Sequence, residues 1–213
     1  MGALAEAITR IETKYGTRVI AHGDVALRRD GERRIASHAA LDRITGGGIR
    51  AGEPLALVGP TTAGKLALAL GVAAAAQQGG GMIAWIDPSS SFDPLAALRK
   101  GVDLDRVIVV RPADIDDVLL AGSAVLRSDG FRLVVVDTGP AFLSRCVADD
   151  LAPLLPIVRG SPAALLVVSE TRGRRVAMPT VRVEPQRWTR RFGRTIGWSY
   201  AVGADAQRLE ATA

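Results

Sequence analysis

A glycine-containing loop between an apolar strand and an alanine-rich helix constrains this chain more than any other feature. Residues 54–78 read PLALVGPTTAGKLALALGVAAAAQQ, in which residues 55–58 predict a buried strand and Lys65 opens a helix. Glycines let backbone N–H groups surround a phosphate, and a lysine at a helix N-terminus adds positive charge. The stretch predicts a phosphate-binding loop with candidate contacts from Gly59, Thr61, Thr62, Gly64 and Lys65.

The residue after the lysine departs from the pattern of loops that hydrolyse ATP. That position normally carries a serine or threonine hydroxyl that holds Mg²⁺, and here it is Leu66. Leucine cannot ligate a hard cation, so the phosphate cradle is expected to lack its metal anchor. We therefore expect no metal ligand and no catalytic residue, and we leave binding of ATP or ADP without hydrolysis open. The alternative is a glycine-rich turn that binds no nucleotide.

Apolar strands and helices alternate along the chain. Continuous apolar strands separated by helices are typical of a mostly parallel sheet covered on both faces, so we predict an α/β fold of this kind. The predicted strands after the loop are residues 82–86, 107–110, 133–136 and 163–168, and the predicted helices are residues 94–100, 115–126 and 147–158. Asp137 ends the third of these strands.

Three predictions concern the ends of the pattern. Ser37 is a candidate N-cap for a short helix that leads into the triple glycine at residues 46–48. Residues 181–188 and 195–202 alternate only partly and predict antiparallel strands at the C-terminal edge of the sheet. Residues 203–213 are expected to form a loose tail.

Length and composition indicate one soluble domain. A chain of 213 residues with 48% hydrophobic content suits a single α/β core. The lone cysteine, Cys146, excludes an internal disulfide, and no apolar run is long enough to cross a bilayer. We expect a cytoplasmic protein without membrane contact.

Positive charge is concentrated near the C-terminus. Residues 172–194 contain eight arginines and one glutamate, whereas the whole chain has a net charge of only +5. Such a cluster favours an acidic partner or nucleic acid, and interleaved tryptophans could stack on bases or fill a partner's pocket. The alternative is a solvated face of an edge hairpin with its aromatics turned inward. The candidate contacts are Arg172, Arg174, Arg175, Arg187, Arg190, Arg191, Arg194, Trp188 and Trp198.

Several motifs in the same order resemble the RecA family of recombinases. They include IETKYG, LDRITGGGIRAGEPLALVGPTTAGK, AWIDPSSSFDPLAALRKGVDLDRVIVVRPADIDD and LVVVDTGPAF, within residues 4–142. The resemblance implies a RecA-like core and gives Asp137 the place of the acidic residue in the nucleotide site. It also implies that residues 4–21, including Ile8, Ile11 and Tyr15, correspond to the element by which RecA subunits pack on one another.

The departures from the family concern its chemistry. The family places a catalytic glutamate where this chain has Ser89, and a nucleotide-sensing glutamine where this chain has Glu170. A serine hydroxyl cannot act as that general base near neutral pH. Both DNA-binding loops of the family are also shortened here. Together with Leu66, these changes predict a pseudo-ATPase that has lost ATP-driven strand exchange.

A trimmed RecA-like chain with an arginine-rich end resembles the ImuA group of RecA relatives. The resemblance implies an accessory role in the bacterial SOS response to DNA damage, in which the protein promotes error-prone translesion synthesis. The implied partners are RecA, a Y-family-like polymerase homologue and an error-prone replicative-type polymerase, with DNA contact and self-association left open. The alternatives are an ATP-dependent recombination protein that uses Lys65 and Asp137, and a cell-division inhibitor similar to SulA.

From the motifs and the resemblance together we predict three segments. Residues 1–36 are expected to form the N-terminal packing element, residues 37–171 the RecA-like core, and residues 172–213 the arginine-rich strands and tail.

Overall fold

A sheet of eight strands lies at the centre of the described part of this computed structural model, which comprises residues 34–139, 148–170, 178–191, 194–204 and 207–212. All of these residues belong to one compact unit, Arg34–Ala213. The strands of the sheet are β3 (Pro54–Val58), β4 (Met82–Ile86), β5 (Val107–Val110), β6 (Phe131–Asp137), β7 (Ala164–Ser169), β8 (Thr180–Arg191), β9 (Arg194–Ala204) and β10 (Gln207–Thr212). A small separate ladder pairs β1 (Arg34–Ile35) with β2 (Ile49–Arg50).

The strand order is β10-β9-β8-β3-β7-β6-β4-β5. Every pairing from β8 across to β5 is parallel, whereas β8 with β9 and β9 with β10 are antiparallel. In the centre, Leu57 of β3 is paired with Val168 of β7 and with Val181 of β8. Because β8 continues past the last residue of β3, the loop that follows Val58 runs between β8 and the end of β7.

Helices cover both faces of the sheet. Their bounds are α1 (Ala39–Ile44), α2 (Lys65–Gln78), α3 (Pro94–Arg99), α4 (Ile115–Leu126) and α5 (Leu155–Arg159), with 3₁₀ turns at Leu104–Arg106 and Ala148–Leu154. Aspartate side chains cap two of them: Asp93 accepts from Leu95 N at 2.8 Å, and Asp114 accepts from Asp117 N at 2.9 Å. These caps satisfy N–H groups that a helix leaves free at its first turn.

The core has two halves, one on each face. Alternate residues of β3 point to opposite sides, with Leu55 and Leu57 in the half that contains α2, and Ala56 and Val58 in the half that contains α4. The α2 half also contains Trp85, which is 1% exposed. A central strand buried on both faces explains why the sequence of β3 is apolar without alternation.

The predicted fold class is confirmed: the sheet is mostly parallel, has helices on both faces, and carries antiparallel strands at its C-terminal edge. Helix 115–126 and strands 82–86 and 107–110 have the predicted bounds. These elements were predicted accurately because a continuous apolar run of strand length, or a long stretch with helical periodicity, is compatible with few other secondary structures.

Three local predictions were wrong. The N-cap of α1 is His38, whose Nδ1 accepts from Ala40 N at 3.3 Å, whereas Ser37 lies one residue earlier and its own N–H donates to the Asp42 carboxylate. The segment predicted as one helix over 147–158 is a 3₁₀ turn followed by the short α5. Pro153 lies inside the 3₁₀ turn and Pro156 at the start of α5, where each removes an N–H from any longer helix.

The predicted loose tail contains β10, which pairs with β9 from Gln207↔Ala204 to Thr212↔Ser199. The sequence of β10 lacks the β-branched alternation of a typical strand. Its conformation follows from pairing with the exposed edge of β9, which is a tertiary effect.

Within the described residues, no helix is both long enough and apolar enough to cross a membrane.

Candidate functional site

The turn between β3 and α2 has the backbone of an anion-binding loop. Gly64, the N-cap of α2, has φ of 94°, and Thr62 has φ of 70°, a value that a β-branched residue rarely adopts. No side chain caps the N-terminus of α2 within the described structure. The first N–H groups of this 14-residue helix therefore remain available to a ligand in front of the loop. The positive end of the helix dipole lies at the same place and favours an anion there.

Lys65 lies across the mouth of this turn. Its side chain is only 8% exposed, and its Nζ donates to Gly59 O at 2.6 Å and to Pro60 O at 2.7 Å. Burial lowers the pKa of Lys65, while the nearby carboxylates of Glu170 and Asp137 act in the opposite direction. The ammonium is thus held within the loop at the position where it would meet a phosphate.

Asp137 shares a single hydroxyl with a second carboxyl group. Ser91 Oγ lies 2.5 Å from Asp137 Oδ2 and 3.0 Å from Asp87 Oδ1. A hydroxyl has one proton and can donate to only one of them. Asp87 also accepts from the N–H groups of Ser91 and Phe92 and lies 3.6 Å from the Arg111 guanidinium, so its carboxylate charge is compensated.

The surroundings of Asp137 disfavour the charged form of its carboxyl group. Burial raises the pKa of Asp137, and the charge of Asp87 raises it further, against the opposing effects of Ser91, Gly139 and Lys65. Ser91 Oγ donates to Asp137 Oδ2 or to Asp87 Oδ1, and Gly139 N donates to Asp137 Oδ1 at 3.2 Å. These donors hold the Asp137 carboxyl group in place in the wall of the cavity.

Asp137→Asn is expected to raise the free energy of unfolding, by an amount that increases with pH. Because the pKa of Asp137 is higher in the folded chain than in the unfolded chain, its stabilisation is complete below the unfolded pKa and is lost as pH rises through the folded pKa. The asparagine side chain keeps an oxygen that accepts from Ser91 and does not titrate. Urea denaturation between about pH 3 and about pH 8, a range that begins below the usual pKa of an aspartate, measures the difference.

Asp129→Asn, at an exposed turn, is the matched control for this series. Its unfolding curves should follow the wild type across the same pH range. A constant difference between Asp137→Asn and wild type at every pH would contradict a raised pKa for Asp137.

The loop supplies no set of ligands for a divalent cation. Leu66 packs against the α2 half of the core and presents no oxygen. Ser89 offers a hydroxyl in place of a carboxylate, and its Oγ is buried without a partner within the described part of the chain. No group of three or more His, Cys, Asp or Glu side chains in the described residues could hold a metal ion. The residues present fit a phosphate group but do not fit Mg²⁺.

Glu170 bonds directly to the loop. Its carboxylate accepts a hydrogen bond from Thr61 Oγ1, across a separation of 109 residues. A backbone hydrogen bond from Gly59 N to Ser169 O at 3.3 Å joins the same two segments. The end of β7 and the phosphate loop therefore form one unit, which the sequence did not predict.

A cavity of about 620 Å³ extends from the loop over the side of α2. Part of its wall is polar, from Lys65, Asp137 and Glu170, and part is apolar, from Leu66, Leu70, Trp85 and Phe92. The rings of Trp85 and Phe92 lie 5.1 Å apart at their centroids. A ligand with a phosphate end and a flat or apolar end would fit both parts of the wall.

The structure brings together the loop residues and Asp137 that the sequence singled out: Thr61, Thr62, Gly64, Lys65 and Asp137 line one cavity. Gly59 lies just behind it and provides one of the acceptors of Lys65. The roles of Ser91 and Arg111 were missed, although both follow strands whose carboxyl ends meet at this edge of the sheet. That placement is the signal that could have identified them.

The described part of the arginine-rich segment lies on β8 and β9, and β8 is paired with β3, the strand that leads into the loop. Arg187, Trp188, Arg190 and Arg191 belong to β8, and Arg194 and Trp198 belong to β9. Trp188 is paired with Trp198 in the ladder, and Arg191 with Arg194. Arg172, Arg174 and Arg175 lie outside the described residues, as do Ile8, Ile11 and Tyr15 of the predicted packing element.

Comparison with known proteins assigns the chain to a family. The model of the RecA N-terminal domain matches residues 2–150. The chain is 35% identical over 157 residues to Protein RecA of Roseiflexus sp. (strain RS-1), which covers 72% of this chain and 44% of that protein. It is 36% identical over 138 residues to Protein RecA of Methylococcus capsulatus, covering 64% of this chain and 40% of that protein.

A third relative, Protein RecA of Synechocystis sp., is 32% identical over 143 residues, covering 67% of this chain and 40% of the relative. The chain thus spans less than half the length of these curated relatives. The family match covers the phosphate loop, Asp137 and the strands between them, which form most of the cavity wall, whereas Val168, Ser169 and Glu170 lie beyond the matched residues. The chain belongs to the RecA N-terminal domain family.

Proposed function

We propose that this protein is a catalytically inactive, RecA-derived adaptor of the DNA-damage response. It promotes error-prone translesion synthesis by binding RecA, the mutagenic polymerase partners, or both. ATP or ADP binds to the loop without being hydrolysed. The resemblance to the ImuA group supplies the biological role, and the nucleotide site supplies the physical argument for inactivity.

One observation carries this proposal: the loop keeps its phosphate cradle but offers no ligands for the metal that phosphoryl transfer requires. The N-terminus of α2 and Lys65 are suited to phosphate, whereas Leu66 stands at the hydroxyl position. Asp137 is bound to Ser91, and Ser89 replaces a carboxylate base. Transfer of a phosphoryl group requires a positioned metal charge and an activated nucleophile. Without the metal ligand and the carboxylate base, hydrolysis is lost, whereas binding of the phosphates, which depends on the loop and Lys65, is retained.

We assign partner binding to two segments that the sequence singles out by their residue types. The hairpin of β8 and β9 carries arginines together with the Trp188–Trp198 pair in its ladder. Arginine and tryptophan are the residue types most often found at the energetic centre of an interface. The second segment is the predicted N-terminal packing element, residues 4–21, to which we assign binding of RecA or of another copy of the chain.

A slow ATPase is the second candidate, and the intact cradle around Lys65 favours it. The two candidates differ in what Lys65→Ala does. If the protein is an adaptor, ATP turnover by the purified wild type equals that of Lys65→Ala, and both equal the background. Turnover that exceeds the background and disappears in Lys65→Ala would refute the adaptor proposal.

The binding role is tested by reversing charge in the hairpin. Arg190→Glu, Arg191→Glu and Arg194→Glu combined should weaken capture of purified RecA, the polymerase homologue or single-stranded DNA by about tenfold or more, because charge complementarity across an interface is inverted. Pull-down and fluorescence anisotropy measure this loss for protein and for DNA. The partner that the variant no longer captures is the one that contacts the hairpin.

The matched control places the same charge change on exposed arginines outside the hairpin, at Arg43, Arg127 and Arg159. It should retain wild-type binding, and both variants should unfold at the wild-type urea concentration. Unchanged capture of every partner by the hairpin variant would contradict the proposed surface.

A further inference from the structure

We propose that Glu170 makes the loop selective for the number of phosphate groups, so that a nucleoside diphosphate binds more tightly than the corresponding triphosphate. This inference rests on the proposed binding of nucleotide at the loop and adds its specificity.

The first argument is the position of the Glu170 carboxylate. It accepts a hydrogen bond from the Thr61 hydroxyl, and Thr61 lies within the loop itself. Glu170 directly follows Ser169, whose carbonyl oxygen accepts from Gly59 N. The carboxylate is therefore held against the loop by its own bond and by the backbone bond at the preceding residue, and it is only partly exposed to solvent.

The second argument is the balance of charge around Lys65. Three acidic side chains line the cavity: Asp93, Asp137 and Glu170. Asp93 accepts from two N–H groups as the cap of α3, and Asp137 accepts from Ser91 Oγ and from Gly139 N. Glu170 is the carboxylate that acts most strongly on Lys65. The Lys65 ammonium thus faces the negative charge of Glu170, which follows β7 and is bonded to the loop through Thr61.

The consequence depends on the length of the phosphate chain. The N–H groups at the start of α2 and the Lys65 ammonium can hold a diphosphate. A third phosphoryl group adds further negative charge to a cavity that already contains the Glu170 carboxylate, and like charges in a partly buried site repel. A divalent cation would normally offset this charge, but Leu66 provides no ligand for it. The triphosphate therefore binds with an uncompensated repulsion.

The test is to titrate ADP and a non-hydrolysable ATP analogue by calorimetry, in the absence of divalent cations. For the wild type we expect the ATP analogue to bind about tenfold or more weakly than ADP, which corresponds to about 1.4 kcal/mol. In Glu170→Gln the dissociation constants of the ATP analogue and of ADP should differ by less than about threefold. Glutamine keeps an oxygen that accepts from Thr61 but carries no charge.

Pyrophosphate and tripolyphosphate should show the same ordering as competitors of a fluorescent ADP analogue, which separates the effect of the phosphates from that of the base. Glu53→Gln is the matched control. Glu53 is exposed and precedes β3 at the end opposite the loop, about 16 Å away along an extended strand of five residues. It should leave the ratio at its wild-type value.

An ATP-to-ADP ratio that is the same in wild type and Glu170→Gln would overturn the inference, as would wild-type binding of both nucleotides with equal affinity. If neither nucleotide binds to the wild type, to Glu170→Gln or to Glu53→Gln, the inference is also overturned. The adaptor role would then still be tested separately, by the capture of partners through the hairpin. Hydrolysis of ATP by the wild type would instead refute the proposed function, and the ratio measured with the non-hydrolysable analogue would remain valid.

Discussion

Gly59→Ala is expected to destabilise the protein by about 3 kcal/mol, because a methyl group at this position overlaps the backbone of the neighbouring strand. A Cβ on Gly59 would collide with the carbonyl oxygen of Val183, and it would lie 3.1 Å from the carbonyl carbon. Backbone atoms of a paired strand cannot rotate away as a flexible side chain can. Either β3 and β8 separate locally or the loop changes its conformation.

The same substitution should also reduce nucleotide binding. Gly59 O is one of the two carbonyl oxygens that accept from Lys65 Nζ, and Gly59 N donates to Ser169 O. Displacement of this residue therefore moves the ammonium and separates the loop from the end of β7. Urea denaturation measures the loss of stability, and titration with a fluorescent ADP analogue measures the loss of binding.

Gly71→Ala is the control for this prediction. Gly71 lies in α2, and among the described residues outside the helix's own neighbouring backbone a Cβ there would meet no atom within 4 Å. Alanine should stabilise the helix by about 0.5–1 kcal/mol, since it loses less conformational freedom on folding. A Gly59→Ala variant as stable as Gly71→Ala would contradict the close approach of β8 to the loop.

Trp85→Ala is expected to cost about 3–5 kcal/mol, the range for removing a fully buried large aromatic side chain. Trp85 lies on β4, is 1% exposed, and packs with its ring 5.1 Å from that of Phe92. It also forms part of the wall of the 620 Å³ cavity, so truncation would enlarge that space without allowing the core to collapse around it. The expected result is a large decrease in the urea concentration at half-unfolding.

Trp85→Phe should cost much less than Trp85→Ala. Trp85 Nε1 is buried and has no hydrogen-bond partner in the described structure, so phenylalanine removes an unsatisfied donor while retaining an aromatic ring. Leu120→Ala is the control, because Leu120 on α4 is 70% exposed and its truncation should change stability by less than about 0.5 kcal/mol. Equal effects of Trp85→Ala and Leu120→Ala would contradict the packing of the α2 half of the core.

The sequence alone was sufficient for the fold class and for the position of the phosphate loop. Both depend on local signals: apolar strands buried on two faces are continuous, and a loop that must wrap a phosphate needs glycine and a lysine at fixed spacing. The same locality explains why helix 115–126 was predicted with its correct bounds, since a periodic pattern with Asp114 as its cap has few alternatives.

Tertiary structure decided the features that join distant residues. The bond between Thr61 and Glu170, the hydroxyl bridge from Asp137 through Ser91 to Asp87, and the strand at Gln207–Thr212 all depend on which strand ends become neighbours in the sheet. Spacing along the chain does not contain that information, because the strand order departs from the sequence order. The residue types at the site could therefore be predicted from the sequence, whereas the contacts between them could not.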